Sequence, residues 1–358
     1  QGRIAALAQI ARFSDADIVF ALDGNTVIES PNYLESVAAE LLRSPDHASA
    51  AGFIRPLRFK DRRRAAVWPE VARLRAAAPG VRLAPAETFP VRAVRGMVTL
   101  YSDVLHYFFQ NIVCLGELNL FGTLINPLGQ AAAYRRRALL EVLDEAEATK
   151  SQGASPDQAL VNYNLMNKGF RHVQALNVEA RVFEPGASRP FKQLYAWSTS
   201  WLMSSYYFPE LVIGPFRALQ RRRARKDLGL DILNEEVFVP YQEPLKNLGP
   251  GASRKPAGWA LFVGLFDKMA YPLMLILFAA SRLWLALGYV VLAETVLYAV
   301  LLGVFGKDGK LAFTLKAFLT TPFRYLSIYT DMVTIGRFAT AHSRLAEVTA
   351  GREPAPMP

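Results

Sequence analysis

A single cysteine, Cys114, occurs in 358 residues. That excludes a disulfide framework and any multi-cysteine metal site. The four histidines, His47, His106, His172 and His342, lie too far apart in sequence to suggest a zinc cluster. Charge is also sparse, at 20% of residues against 52% hydrophobic, which is too apolar for a disordered tail protein. Acid is scarcer than base: 31 acidic against 41 basic side chains leave a formal +10. Such an excess favours an anionic partner, meaning nucleic acid, a phosphorylated small molecule or the inner face of a membrane. There is no internal repeat and no pattern of a cleavable signal peptide at the start. The chain opens mid-pattern at Gln1 without methionine, and the expectation is that the numbering begins inside a longer protein.

Long hydrophobic runs are confined to one region. From Trp259 to Phe305 the only charges are Asp267, Lys268, Arg282 and Glu294. Divided at Arg282, the region gives two stretches of 23 residues, Trp259–Ser281 and Leu283–Phe305. About 20 apolar residues suffice to cross the hydrocarbon core. The alternative, two buried helices of a large soluble domain, fits poorly with the aromatics Trp259, Trp284 and Tyr289 and with the basic flanks. Arg217–Lys226 holds six basic residues in ten before the first stretch, and Lys307, Lys310, Lys316, Arg324 and Arg337 follow the second. Basic loops stay cytoplasmic, so a two-span hairpin with both flanks inside a cell's inner or plasma membrane is predicted. Because the basic clusters adjoin these spans, nucleic-acid binding explains the charge poorly. Lys268 and Glu294, fourteen and twelve positions from Arg282, fall at one depth and are predicted to pair or to line a polar path.

Residues 1–258 read instead as alternating helices and strands. Ile4, Leu7, Ala8 and Ala11 have helical spacing, Asp17–Leu22 is a short apolar run of strand length, Asn32–Leu42 is again helical behind Pro31, and Ser49–Ile54 is a second strand candidate. The alternation predicts an α/β sheet with a cytoplasmic ligand site at the carboxyl ends of its strands. Asp23 stands at such an end, in Asp23-Gly24-Asn25-Thr26. A carboxylate beside a glycine and a second oxygen-bearing side chain suits Mg²⁺ or Mn²⁺ bridging a diphosphate. A plain turn uses the same residues.

Further along, Asn126-Pro127-Leu128-Gly129-Gln130 leads to Tyr134-Arg135-Arg136-Arg137. A tight turn followed by a helix with a basic start contradicts the usual preference for acids there. It makes sense where arginines or turn amides face phosphate, although a solvated basic face is the equal alternative. Ser155-Pro156-Asp157-Gln158-Ala159-Leu160 opens a helix to Asn167, with Ser155 as N-cap, Pro156 at the first position and Gly169 just past the end. Asp157 then serves either as a capping acid stabilised by the helix dipole or as a general base held ionised.

In order, the Asp-Gly-Asn turn, the Asn-Pro-Leu-Gly turn, Pro156-Asp157-Gln158-Ala159-Leu160 with Gly169-Phe170-Arg171, and Gln193-Leu194-Tyr195-Ala196-Trp197 carry a resemblance. The chain resembles membrane-embedded family 2 glycosyltransferases of the processive type that includes hyaluronan, chitin and cellulose synthases, across nearly its whole length. The resemblance implies a GT-A-like, nucleotide-diphospho-sugar transferase domain over 1–190, lacking the family's first strand. An interfacial helix and loop over 191–258, transmembrane and interfacial helices over 259–341, and a tail over 342–358 follow. It also implies an inverting enzyme using a nucleotide-diphosphate sugar, most simply a UDP-sugar, a saccharide acceptor and Mg²⁺ or Mn²⁺. Asp23 would contact the donor and, with Asn25, the metal; Asp157 would be the base; Gln193 and Trp197 would line the acceptor end. Three departures stand out. Asn25 replaces an acid, Pro156 stands where an acid usually precedes the base, and Ala196 replaces an arginine that contacts diphosphate, for which Tyr195 or a displaced arginine such as Arg135 is the candidate substitute.

Other stretches are less directive. Arg58–Arg64 is a basic loop or a headgroup contact. Phe191–Phe208 suits a helix in the membrane interface or one packed on the transferase domain. Leu311–Ala341 reads as interfacial or as a third span. The functions that compete are a membrane glycosyltransferase, a catalytically impaired relative that binds nucleotide or glycan, and a non-enzymatic membrane protein.

Overall fold

The computed structural model describes residues 3–57, 69–77, 89–150, 158–183, 190–209, 211–214, 216, 258–305 and 309–349. Elements run α1 (Arg3–Phe13), β1 (Ile18–Leu22), β2 (Thr26–Ile28), α2 (Tyr33–Leu42), β3 (His47–Pro56), α3 (Pro69–Ala77) and α4 (Phe89–Phe108). A π-helical stretch, Phe109–Cys114, joins α4 to α5 (Leu115–Phe121). Then come β4 (Ala131–Arg135), α6 (Arg136–Lys150), α7 (Gln158–Asn167), β5 (Arg171–Val182), α8 (Pro190–Tyr207), α9 (Gly258–Ala280), α10 (Trp284–Phe305) and α11 (Lys310–Thr349). The class is mixed α/β and mostly helical, with one sheet and two long apolar helices near the C-terminus.

Five strands form the sheet in the order β1-β4-β3-β5-β2. Only β3 and β5 are parallel; β1 and β3 flank β4 antiparallel, and β2 runs antiparallel to β5. Strand alternation sorts the side chains onto two faces. Val19, Ala132 and Tyr134 face α1, α6 and α7, where they meet Leu7, Leu139, Val161 and Leu165. Ala131, Ala133, Ile54 and Val178 face α2, where Tyr33, Val37 and Leu41 are all fully buried. Removing each of these three α2 side chains from water is worth about 1.5–3 kcal/mol, and their i, i+4, i+8 spacing is why the Tyr33–Leu42 segment is a helix on this face.

The sheet is not flat. Between Ala51↔Gln174 and Phe53↔Glu179 the ladder passes one residue on β3 but four on β5, a bulge that bends both strands. The bend has a covalent consequence. Four strand spacings separate β1 from β2, about 19 Å in a flat sheet, yet only Asp23, Gly24 and Asn25 link them. Four peptide steps reach about 14 Å at most. The sheet must therefore curl at this edge.

At the C-terminal end, α9 and α10 are long and apolar enough to cross a membrane. Only 11% and 17% of their most apolar windows are buried by the rest of the chain, and Phe266, Leu273, Leu285 and Leu297 are more than half exposed. Core helices of a water-soluble domain would be covered. The break between them falls at Arg282, as the sequence predicts. Its φ of 57° is left-handed, and the Leu283 N–H donates to the Phe278 carbonyl (2.9 Å), the closure common at helix ends.

The predicted Lys268–Glu294 pair is corrected by the structure. Lys268 reaches Asp331 (2.7 Å) and Glu294 meets Arg324, both partners lying on α11. Arg324 and Asp331 are seven residues apart, about 10 Å along a helix, which matches the 8–10 Å between two packed helices. Thr314, ten residues before Arg324, donates to the Ala299 carbonyl of α10 (3.4 Å). Thus α11 crosses the hairpin obliquely, touching α10 first and α9 later. It also reaches back to α4 through Lys316–Asp103 (2.6 Å) and the Tyr107–Phe313 ring stack at 3.7 Å.

Candidate functional site at the carboxyl edge of the sheet

The carboxyl ends of β1, β3 and β5 and the first residues of β4 and β2 share one edge. Asp23 follows β1 directly. Its N–H donates to the Gln130 carbonyl (2.8 Å), and its own carbonyl accepts from Thr26 N–H (2.9 Å), closing a four-residue turn. On the other side Asn25 is fastened to β5: its carbonyl accepts from Phe183 N–H (2.7 Å), and its Nδ2 donates to the Phe183 carbonyl (3.2 Å). The Asp-Gly-Asn link thus crosses the curled edge from β4 to β5.

The register places two side chains together. Leu22 stands opposite Ala131, so one step further Asp23 stands opposite Gln130, the pairing that the 2.8 Å hydrogen bond records. By alternation they extend the rows Val19–Ala21 and Ala132–Tyr134, on the face that carries α7. Directly opposed Cβ atoms lie about 5 Å apart. The Oε1 of Gln130 is buried with no donor among the described residues. Sequence reasoning passed over Gln130, although it follows the Asn-Pro-Leu-Gly turn immediately.

Beyond the Ala51–Ala132 pair β4 no longer covers β3, and two side chains take over its ladder. From one face the Tyr33 hydroxyl donates to the Ala131 carbonyl and accepts from Gly52 N–H, each at 2.8 Å. Burial pushes that phenol up to about 12, so it stays protonated and able to donate. From the π-helical stretch, Gln110 accepts from Ile54 N–H (2.6 Å) and donates to the Ile54 carbonyl (2.5 Å). Neither role leaves a mark in the sequence, because each depends on where a distant strand ends. Gly52 is required here: a Cβ would come within 2.5 Å of the Tyr33 ring and 2.8 Å of the Val178 carbonyl.

The Asn126-Pro127-Leu128-Gly129 turn is held from behind. Glu117 accepts from Ile125 N–H (3.0 Å). Burial pushes its carboxyl up to about 7, against the lowering effect of that bond. Between the turn and the helix the structure inserts β4, a strand the sequence reading missed because Ala131–Ala133 carry no β-branched signal.

Arg135 is corrected as a donor-binding residue. It pairs with Ile18 at the far end of β1, five residues or about 17 Å from Asp23. Its guanidinium donates to the carbonyls of Leu41 (2.5 Å), Ser44 (3.0 Å) and His47 (3.1 Å). It therefore caps the C-terminus of α2 and does not face phosphate. Arg136 likewise donates to the Ala11 carbonyl of α1 (2.7 Å).

Asp157 lies outside the described residues. The helix it precedes, α7, ends as predicted, with Gly169 at φ 93° and Phe170 N–H donating to the Leu165 carbonyl (3.0 Å). Close by, Ser49 donates to Nδ1 of His172 (2.6 Å), and Nε2 of His172 meets the Asn162 carbonyl (2.9 Å). Both side chains are buried; burial holds the imidazole down to about 4, so this pair is a neutral core network. Gln193 and Trp197 sit on α8 at i, i+4, with Trp197 42% exposed. The same helix packs on α11, where Arg337 covers the Tyr195 ring at 5.6 Å, and Trp201 approaches Lys268 of α9 at 5.5 Å.

Among the described residues no three His, Cys, Asp or Glu side chains cluster as a metal site. The sequence matches no known protein-family model, and no curated protein is significantly similar to it.

Proposed function

We propose that the chain is a membrane-bound inverting glycosyltransferase, moving a sugar from a nucleotide-diphosphate donor to a saccharide acceptor, with polysaccharide synthesis its natural use. The observation that supports this most is the meeting of Asp23 with Gln130. It joins the Asp-Gly-Asn link to the Asn-Pro-Leu-Gly turn across more than a hundred residues of sequence, at the carboxyl edge of an α/β sheet and on the face of α7. That edge is where such sheets bind ligands. In the proposed orientation the hairpin spans the bilayer and the sheet domain stays cytoplasmic, as the basic flanks favour.

Mg²⁺ or Mn²⁺ fits this edge. Such a cation takes one or two protein oxygens, keeping its other positions for water and substrate phosphate. Asp23 supplies a carboxylate, and a buried amide oxygen without a donor lies opposite. When bound, the cation would neutralise charge building on the departing diphosphate. The chain's own residues do the rest. Asp157, which directly precedes α7 in the sequence, would accept the proton of the attacking acceptor hydroxyl. Gln193 and Trp197, one helical turn apart, bind the acceptor. Without the arginine that Ala196 replaces, and with Arg135 on the opposite edge, the charge of a departing diphosphate would fall to the cation and to turn amides.

A second reading, donor binding without turnover, is favoured by one observation: the Asn25 amide is committed to the Phe183 carbonyl. Turnover of a nucleotide-sugar panel by the full chain in nanodiscs separates the two. Transfer is expected, and Asp157→Asn should cut it by roughly 10²–10⁴-fold with donor binding intact. Donor binding without any transfer by the wild type selects the second reading, and the absence of donor binding removes both.

A further inference from the structure

The position after the Asp-Gly-Asn aspartate's partner turn holds an atom that the fold leaves unanswered. Gln130 Oε1 is buried and accepts from no donor among the described residues. Leaving a buried acceptor unpaired costs about 1–3 kcal/mol, so a native chain keeps one where something else supplies the partner. Its neighbour across the ladder is Asp23, joined to it by the 2.8 Å backbone bond, and the two side chains share one face of the sheet. Asn25 is turned away from this pair: its Nδ2 donates to the carbonyl of Phe183, just past the end of β5, at the other side of the link.

We infer that Gln130, and not Asn25, is the second protein ligand of the divalent cation, through Oε1, with Asp23 as the first. This assignment rests on the glycosyltransferase reading and deepens it. A carboxylate and a neutral amide oxygen form a hard, singly charged pair, suited to Mg²⁺ or Mn²⁺ that also bonds donor phosphate and water. Such a site has little affinity for the free ion. The acid lost at position 25 is thereby replaced by an oxygen from a turn more than a hundred residues away, out of reach of any reading of the local motif.

The test is uptake of Mn²⁺ by the full-length chain in nanodiscs, with and without UDP, followed by electron paramagnetic resonance and calorimetry. Gln130→Glu adds a charged ligand and should tighten Mn²⁺ in the presence of UDP by about tenfold or more, while Gln130→Met should weaken it by a similar factor. Asn25→Asp and Asn25→Ala should leave it within about twofold. Thermal melts of all four variants identify any that fail to fold, and the Glu and Met variants move affinity in opposite directions, which unfolding cannot do. Tightening by Asn25→Asp with no response at Gln130 overturns the assignment alone. A folded wild type that takes up neither UDP nor Mn²⁺ overturns the assignment and the glycosyltransferase reading together.

Discussion

The Lys268 ammonium lies 2.7 Å from the Asp331 carboxylate, joining the middle of α9 to α11. Both side chains are largely buried, and Arg324 makes the matching contact from α11 to Glu294 of α10. Removing one member of such a pair strands the other charge, whereas removing both is far cheaper. Lys268→Met should lower the melting temperature in nanodiscs, at a cost of about 2–4 kcal/mol. Lys268→Met combined with Asp331→Leu should recover most of it. A double variant no more stable than the single one would show that α11 is held by other contacts.

Stability against pH should be nearly level between about 4.5 and 6.5, because two buried groups oppose each other there. His172 has a folded value of about 4 against an ordinary 6.5, so the unfolded chain binds the extra proton and stability is lost as pH falls through this window. Its full effect is about 3 kcal/mol. Glu117 has a folded value of about 7 against an ordinary 4.5, so the folded chain holds the proton and stability is lost as pH rises. Urea midpoints taken at several pH values should expose each slope separately. His172→Gln should make stability fall with rising pH, and Glu117→Gln should make it rise. Parallel profiles for the two variants would contradict the assignment.

Gln110→Leu should leave both the N–H and the carbonyl of Ile54 unpaired and destabilise the fold by about 2–4 kcal/mol. Hydrogen exchange at the Ile54 amide should accelerate more than at Ala50, whose neighbours on both sides are strands. Equal acceleration at the two amides would mean general loosening and not loss of this contact.

Arg135→Met should release the last turn of α2 and cost about 1–2 kcal/mol while leaving nucleotide affinity unchanged. A large loss of UDP binding in a variant that melts normally would return Arg135 to the donor site.

The elements visible in the sequence are those whose reasons are local. An apolar run gives β1 and the Ser49–Ile54 middle of β3. Apolar spacing gives α1 and α2, a glycine just past Asn167 ends α7, and sheer apolar length marks α9 and α10. What was hidden depends on distant partners. The β4 segment looks like a helix start because alanines precede arginines, and only its place between β1 and β3 makes it a strand. The Lys268 and Glu294 partners lay on α11, whose oblique course no hydropathy pattern encodes. At the candidate site Asp23 and the Asn-Pro-Leu-Gly turn were legible as motifs. Gln130, Gln110 and Tyr33 were not, since each answers a backbone or a side chain far along the chain.

The close approach of Gly52 to Tyr33 makes these two positions a single choice in any library of variants. With no room for even a methyl group at 52 while the ring stays, an alanine there is admissible only in chains that have given up the tyrosine and shifted the Val178 carbonyl, 2.8 Å from the added methyl, as well. Such chains must then find another donor for the Ala131 carbonyl and another acceptor for the Gly52 amide. Saturation of position 52 alone should therefore return almost nothing but glycine, and any survivor should also carry a smaller residue at 33.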